Sequence, residues 1–178
     1  MHGDFVLTES LAIVNYIHAI SKKDKLLPTD PKARARVDEL TFYLWTDVYR
    51  EIGYHIVYPL VFPHHKEAEE ANTNVIINRG KEKLKKHLQV IENEIIGKSA
   101  FIAGEHATFA DITAYCVLYL LHLVGVEYDT FNDHGYPKIA AYLQKLYKEL
   151  PKAEEVNQAF LGYAGYLKSS GTKFPEIL

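Results

Sequence analysis

Apolar residues recur at helical intervals over most of the chain, and the longest such pattern follows Asp30-Pro31. Aspartate caps free amides and proline has no amide to leave unsatisfied at the first helical position, so a long helix is predicted from there. Val37, Leu40, Thr41, Leu44, Val48 and Ile52 give it one core-facing side. Two later prolines predict a kink near Pro59 and a stop by Pro63. A second helical segment is predicted from about Lys66 to Ile96, weak around Asn72 to Gly80 and strong through Leu84, Leu88, Ile91 and Ile95. Gly97 suits its left-handed cap, and the two segments should pair as an antiparallel hairpin.

From Ile112 to Leu121 the chain is apolar nearly all round, which predicts a core helix wrapped by others. Thr108 and Asp111 stand three residues apart as a capping box, with Ala107 and Ile112 at the positions of a hydrophobic staple. Ahead of these, Phe5-Val6-Leu7 reads as a short strand with nothing to pair with, and Thr8-Glu9-Ser10 starts a helix to about Ser21. Leu11, Val14, Ile17 and Ile20 share one face of that helix, and Lys22 to Pro28 is a connector. After the core helix, Gly125 to His134 reads as loop. Gly135-Tyr136-Pro137 introduces a helix to about Leu150 with Ile139, Tyr142, Leu143 and Leu146 inward. Pro151 opens a last helix, about Lys152 to Ser169, with Val156, Phe160 and Tyr163 on one side, and the tail beyond Ser170 should be loosely held. The fold class is all-α, about six helices with one orphan strand in front.

A chain of 178 residues suits one main domain. Its net charge of -3 comes from interspersed residues, so no polybasic tract points to nucleic acid or anionic lipid. Cys116 is the only cysteine, which excludes a disulfide framework, a CxxC pair and a cysteine zinc site, and suits a reducing compartment. The opening Met1-His2-Gly3-Asp4 lacks a signal-peptide pattern, and no apolar run reaches the roughly 18 residues that span a bilayer. A cytoplasmic location is expected.

Three places could carry chemistry. Glu9-Ser10 opens a helix, where free amides and the dipole attract an anion, the serine adds a donor, and the glutamate can hold an ammonium. The pair suits a zwitterionic amino-acid group; the plainer reading is that Thr8 or Ser10 merely caps the helix. The second place is Tyr43, Trp45, Tyr49, Arg50, Tyr54 and Tyr58 on the long helix, which could line an apolar pocket or a subunit contact, or simply pack. The nine histidines include adjacent His64-His65 but no zinc-like spacing, so no metal is expected. Neither a nucleophile elbow nor a phosphate-cradling glycine loop is present.

Four stretches, in order, resemble the C-terminal helical domain of the cytosolic glutathione transferases, most closely their theta-like branch. They are Gly3 to Ser10 with Ala12-Ile13, Leu27 to Glu39, Phe101 to Ile112, and Tyr136 to Ile139. The resemblance implies that residues 1–25 are a remnant of a thioredoxin-like N-terminal domain, its last strand and helix, and that residues 26–178 are the helical domain. It further implies that Glu9 and Ser10 grip the γ-glutamyl end of glutathione as co-substrate, with no other cofactor. Tyr43, Thr46, Tyr49 and Arg50 then fall where the family lines its pocket for a small hydrophobic electrophile. Some theta-like relatives carry, where this chain has Thr46 beside Asp47, an acid that reaches the neighbouring subunit's glutathione. A homodimer is expected at family level.

In that family the hydroxyl that ionises glutathione and the cis-proline loop lie upstream of the stretch matched here. Lowering a thiol pKa from roughly 8.5 needs a donor or positive charge at the sulfur. The chain alone is therefore expected to bind glutathione weakly and to conjugate it poorly or not at all. Two functions stay open. One is a glutathione transferase that conjugates glutathione to electrophiles when the N-terminal half is present. The other is a non-catalytic helical protein-protein interaction module of the same fold.

Overall fold

The computed structural model describes residues 2–21, 26–67 and 69–178, and it is all-α. Residues 22–25 of the expected connector, residue 1 and residue 68 lie outside the described residues. Helix α1 (Ser10–Ser21) is followed by α2 (Pro31–Phe42), whose start is capped as its sequence predicts: the Asp30 side chain accepts from the Ala33 amide at 2.8 Å. The helix does not stop at Phe42. It runs on through two wider-wound stretches with i to i+5 bonding, Tyr43–Val48 and Arg50–Val57, into a last α-turn, Tyr58–Val61. Phe62 then turns extended, and a short 3-10 turn, Pro63–His65, ends the run.

The winding follows from the sequence. Leu40, Leu44, Val48, Ile52 and Ile56 are spaced by four and all are buried. On a regular α-helix of 3.6 residues per turn such a row drifts by about 40° per step and leaves the core. Widening the turn holds it on one face. The change of pitch thus comes before Pro59 rather than at it, and Pro59 sits in the first turn of the final α-segment, where no amide is needed.

Helix α3 (Glu70–Val90) continues wide-wound through Ile91–Ile95 and ends at Gly97, φ +90°. It begins four residues later than expected, and the stretch read as weak is well packed: Thr73, Ile77 and Gly80 are all buried. Gly80 faces the long helix so closely that a Cβ there would meet the His55 Cβ at 2.7 Å. Tyr43 bonds His87 at 2.9 Å and Glu51 meets Lys83 at 3.3 Å, so positions fall on one helix as they rise on the other. The hairpin is antiparallel, as predicted.

The core helix α4 (Phe109–Tyr119) tightens into a 3-10 stretch, Leu120–Val124, that Gly125 closes at φ +85°. Its capping box is present. Asp111 is 0% exposed, and Oδ2 accepts from both the amide and the hydroxyl of Thr108 at 2.7 Å. Its other oxygen accepts from the Ile102 amide at 3.0 Å and from the Tyr142 hydroxyl. Burial and the neighbouring carboxylate push the Tyr142 phenol up, which keeps it a donor. The first amide of α4 is met from elsewhere: Phe109 N–H donates to the Leu26 carbonyl at 2.9 Å.

Several expectations need correction. Phe5-Val6-Leu7 forms no strand; the only pairing there is a local bridge between His2 and Phe5, because no second strand among the described residues lies beside it. The stretch read as loop after Gly125 contains α5 (Tyr128–Asp133), started by a capping box of reversed order, Glu127 with Thr130. Helix α6 (Pro137–Glu149) has its N-terminal amides capped across the fold: Glu92 accepts from Lys138 at 2.8 Å and Ile139 at 2.9 Å. Helix α7 (Ala153–Ser169) turns Phe160 toward Tyr119, while Val156 points out, 73% exposed. The tail is docked rather than loose, since Ile177 is 5% exposed and joins the core. Cys116 is exposed on a helix otherwise almost wholly buried. Only half of the α1 face packs: Leu11 and Val14 meet the core, whereas Ile17 and Ile20 remain exposed.

Removing the Asp111 carboxylate strands buried donors from three segments, so Asp111→Ala should cost about 3–5 kcal/mol, against about 0.5–2 kcal/mol for Thr108→Ala. Urea unfolding of the two variants measures both.

Candidate functional site

Ser10 is the first residue of α1, and Glu9 before it has φ +69°. A non-glycine residue in that left-handed region stores about 1–3 kcal/mol of strain, which surrounding structure must over-determine. The Glu9 carbonyl still opens the helix, accepting from the Ile13 amide at 2.9 Å. Thr8, Glu9 and Ser10 are exposed, and among the described residues their side chains have no hydrogen-bond or ionic partner. Neither Thr8 nor Ser10 caps the helix, so the plainer reading of this motif fails. What stands at the surface is a helix N-terminus with a hydroxyl and a carboxylate both unengaged.

On the long helix the wide winding sorts side chains into rows of four. Phe42, Thr46, Arg50 and Tyr54 form the exposed row. Thr46 donates back to the Phe42 carbonyl at 2.8 Å. Arg50 is held at its inner edge by Glu51 at 3.3 Å and Asp47 at 3.7 Å. Tyr43 and Tyr49 flank this row on opposite sides. The Tyr43 hydroxyl bonds His87 on α3 at 2.9 Å, whereas the Tyr49 hydroxyl bonds that of Tyr58. The four residues expected to line one pocket therefore form a ridge with two diverging flanks.

Neither phenol is poised to lose a proton near neutrality. Burial, with Asp47 adding to it, pushes Tyr43 up to about 12, and burial with the Tyr58 bond pushes Tyr49 up as well. Burial holds the His87 imidazole below its usual range, so it is the neutral partner of Tyr43. The Tyr49 flank continues as an aromatic wall: Trp45 to Tyr49, Tyr49 to Tyr54 and Tyr54 to Tyr58 stand 5.0, 5.8 and 5.3 Å apart, each edge to face.

Sequence reasoning missed Glu51. Its side chain is 0% exposed yet ringed by nitrogen groups: the His55 Nδ1 at 2.5 Å, and the cations Lys83, Nζ at 3.3 Å, and Arg50, Nε at 3.3 Å. Burial works to raise its pKa, but the bonds and charges of His55 and Lys83 outweigh it and the net shift is downward. The i, i+4 spacing of Glu51 and His55 was the available signal. No group of three or more metal-ligating side chains converges among the described residues, and no helix there is long and apolar enough to cross a membrane.

Residues 74–145 match the profile of the glutathione S-transferase C-terminal domain. The glutathione S-transferase theta-1 of Bos taurus is 32% identical over 149 residues, covering 81% of this chain, and that of Homo sapiens is 33% identical over 154. The chain belongs to the glutathione transferase family. Within the family it is theta-like. It spans 58% of the length of both theta-1 relatives. Apo human glutathione-S-transferase T1-1 superposes with a TM-score of 0.72 at 26% identity, covering 93% of this chain and 68% of that one. A human theta-class transferase, solved with the glutathione conjugate of 1-menaphthyl sulfate, gives 0.73 at 26% identity, covering 98% and 70%.

Because Ser10 caps nothing, Ser10→Ala should change the unfolding free energy by less than about 0.5 kcal/mol. Glu51 has a lowered pKa when folded, so its ion pairs stabilise above its ordinary value and are lost as pH falls through the folded one. Glu51→Gln, which cannot titrate, should be the less stable protein at pH 7, and the gap should narrow below about pH 4.5 in denaturant melts run across pH.

Proposed function

We propose that this chain supplies the helical part of a theta-like glutathione transferase, which conjugates glutathione to small hydrophobic electrophiles. Glu9 and Ser10 hold the γ-glutamyl end of glutathione in this reading: the α-carboxylate takes Ser10 and the free amides, and the ammonium takes Glu9. The observation that carries it is the pair itself, strained at Glu9, exposed, and without partners among the described residues. Thr46, Arg50 and Tyr49 present the electrophile's side, and Tyr43 holds the opposite flank of the ridge through His87.

The bare part of α1 fits the same reading. Ile13, Ile17 and Ile20, with Phe5 and Val6 ahead of them, are 37–63% exposed and form an apolar flank next to Glu9. Residues 1–25 are then the end of a thioredoxin-like unit whose remaining part covers that flank and carries the group that ionises the thiol. Residues 26–178 are the helical domain. Helices α2 and α3 offer exposed Phe42 and Val75 to a second copy, in keeping with a homodimer, and the setting is cytoplasmic.

Calorimetry with millimolar glutathione tests the site. Weak saturable binding is expected for this chain, with affinity falling at least tenfold in Glu9→Ala and in Ser10→Ala while both variants keep their melting temperatures. Saturable binding that neither substitution weakens would remove Glu9 and Ser10 from the site, and no saturable heat would remove the ligand.

A further inference from the structure

A cleft between α7, the returning tail and the 3-10 end of the core helix belongs to none of the readings above. Its volume is about 400 Å³, within the roughly 300–1,000 Å³ typical of small-molecule sites. Leu123, Leu161 and Phe174 give it apolar walls, Phe174 arriving on the tail that folds back after Gly171. Gly165, about one turn before the end of α7, completes the lining.

Glycine is the poorest ordinary residue for a helix interior, and its usual justification is a close approach. Gly80 has that justification, because a Cβ there would strike His55 at 2.7 Å. Gly165 has none: a Cβ would meet nothing within 4 Å, and its φ is not positive. The space left open by the missing side chain is the cleft.

His122 supplies the polar feature. Its ring lines the same cleft and stacks on Tyr119, centroids 4.1 Å apart. Burial, opposed only by Glu127, pulls its pKa down to about 4, so the imidazole is neutral at physiological pH. Its Nδ1 is buried and has no hydrogen-bond partner among the described residues. A neutral ring with Nδ1 enclosed has Nε2 left as the nitrogen through which it can donate. At the rim Lys168 and Glu127 pair at 3.7 Å and cancel in charge.

We propose that this cleft is a second ligand site, which takes a small neutral apolar molecule with one hydrogen-bond acceptor at its end, seated against Gly165 and accepting from His122. Apolar walls exclude a strongly polar guest, the cancelled rim gives no net attraction to an ion, and the His122 donor orients the ligand. The site is separate from Glu9 and Ser10 and does not depend on what they bind.

Calorimetry with 1-naphthol on the full chain tests it. One saturable event is expected. Gly165→Leu fills open space on a helix, so the melting temperature should hold or rise while affinity drops more than tenfold. Gly162→Ala, which also meets nothing within 4 Å but does not line the cleft, should raise the melting temperature and leave binding unchanged. His122→Phe keeps the stack and removes the donor, so affinity should fall several-fold; it serves alone if Gly165→Leu does not fold. The proposal is overturned if wild type shows no saturable naphthol binding, if Gly165→Leu or His122→Phe binds as well as wild type, or if S-hexylglutathione displaces the naphthol.

Discussion

A carboxylate with no access to water lies at the start of the core helix, and the arrangement of the surrounding segments depends on keeping it satisfied. Asp111 takes donors from the residue that begins its own helix, from the turn at Ile102 and from Tyr142 on α6. Burying an ion is costly unless each oxygen is engaged, so these three segments are positioned to within hydrogen-bond tolerance of one point. The apolar contacts of α4 would tolerate some sliding; the carboxylate does not. A second buried carboxylate, Glu92, does the same for the start of α6, and a third, Glu51, fastens the long helix to α3. The hydrophobic pattern assembles this bundle, and the buried acids fix its register.

Much of this was legible in the chain. Helical spacing, Asp30-Pro31, the Thr108–Asp111 box and Gly97 located the main helices and their ends, because each depends on residues close in sequence. Three things were not legible for the opposite reason. Glu92 caps a helix 46 residues away, Ile177 docks by tertiary packing alone, and α5 begins with a reversed box around a helix of only six residues. The wide winding of the long helix was legible in principle, as the five apolar residues at every fourth position from Leu40 to Ile56, but a pattern compatible with an ordinary helix at its start conceals the drift until it is followed to the end.

The candidate site divides the same way. Glu9 and Ser10 could be picked out as residue types at a helix start, whereas the left-handed backbone at Glu9 and the absence of any cap are properties of three-dimensional placement. Tyr43, Thr46, Tyr49 and Arg50 look like neighbours on a helical wheel, yet wider turns carry Tyr43 and Tyr49 to opposite flanks. Their separation is a direct effect of the pitch that the buried row demands, so core packing on one side of the helix dictates the shape presented on the other.

The bond from Phe109 to Leu26 has a mechanical consequence. It ties Leu26 to the first amide of the most deeply buried helix, one residue from the Thr108 cap. A pull at Leu26 therefore acts on the opening turn of the innermost helix, while Leu11, Val14 and the bond from Arg34 to Asn15 hold α1 to the bundle independently.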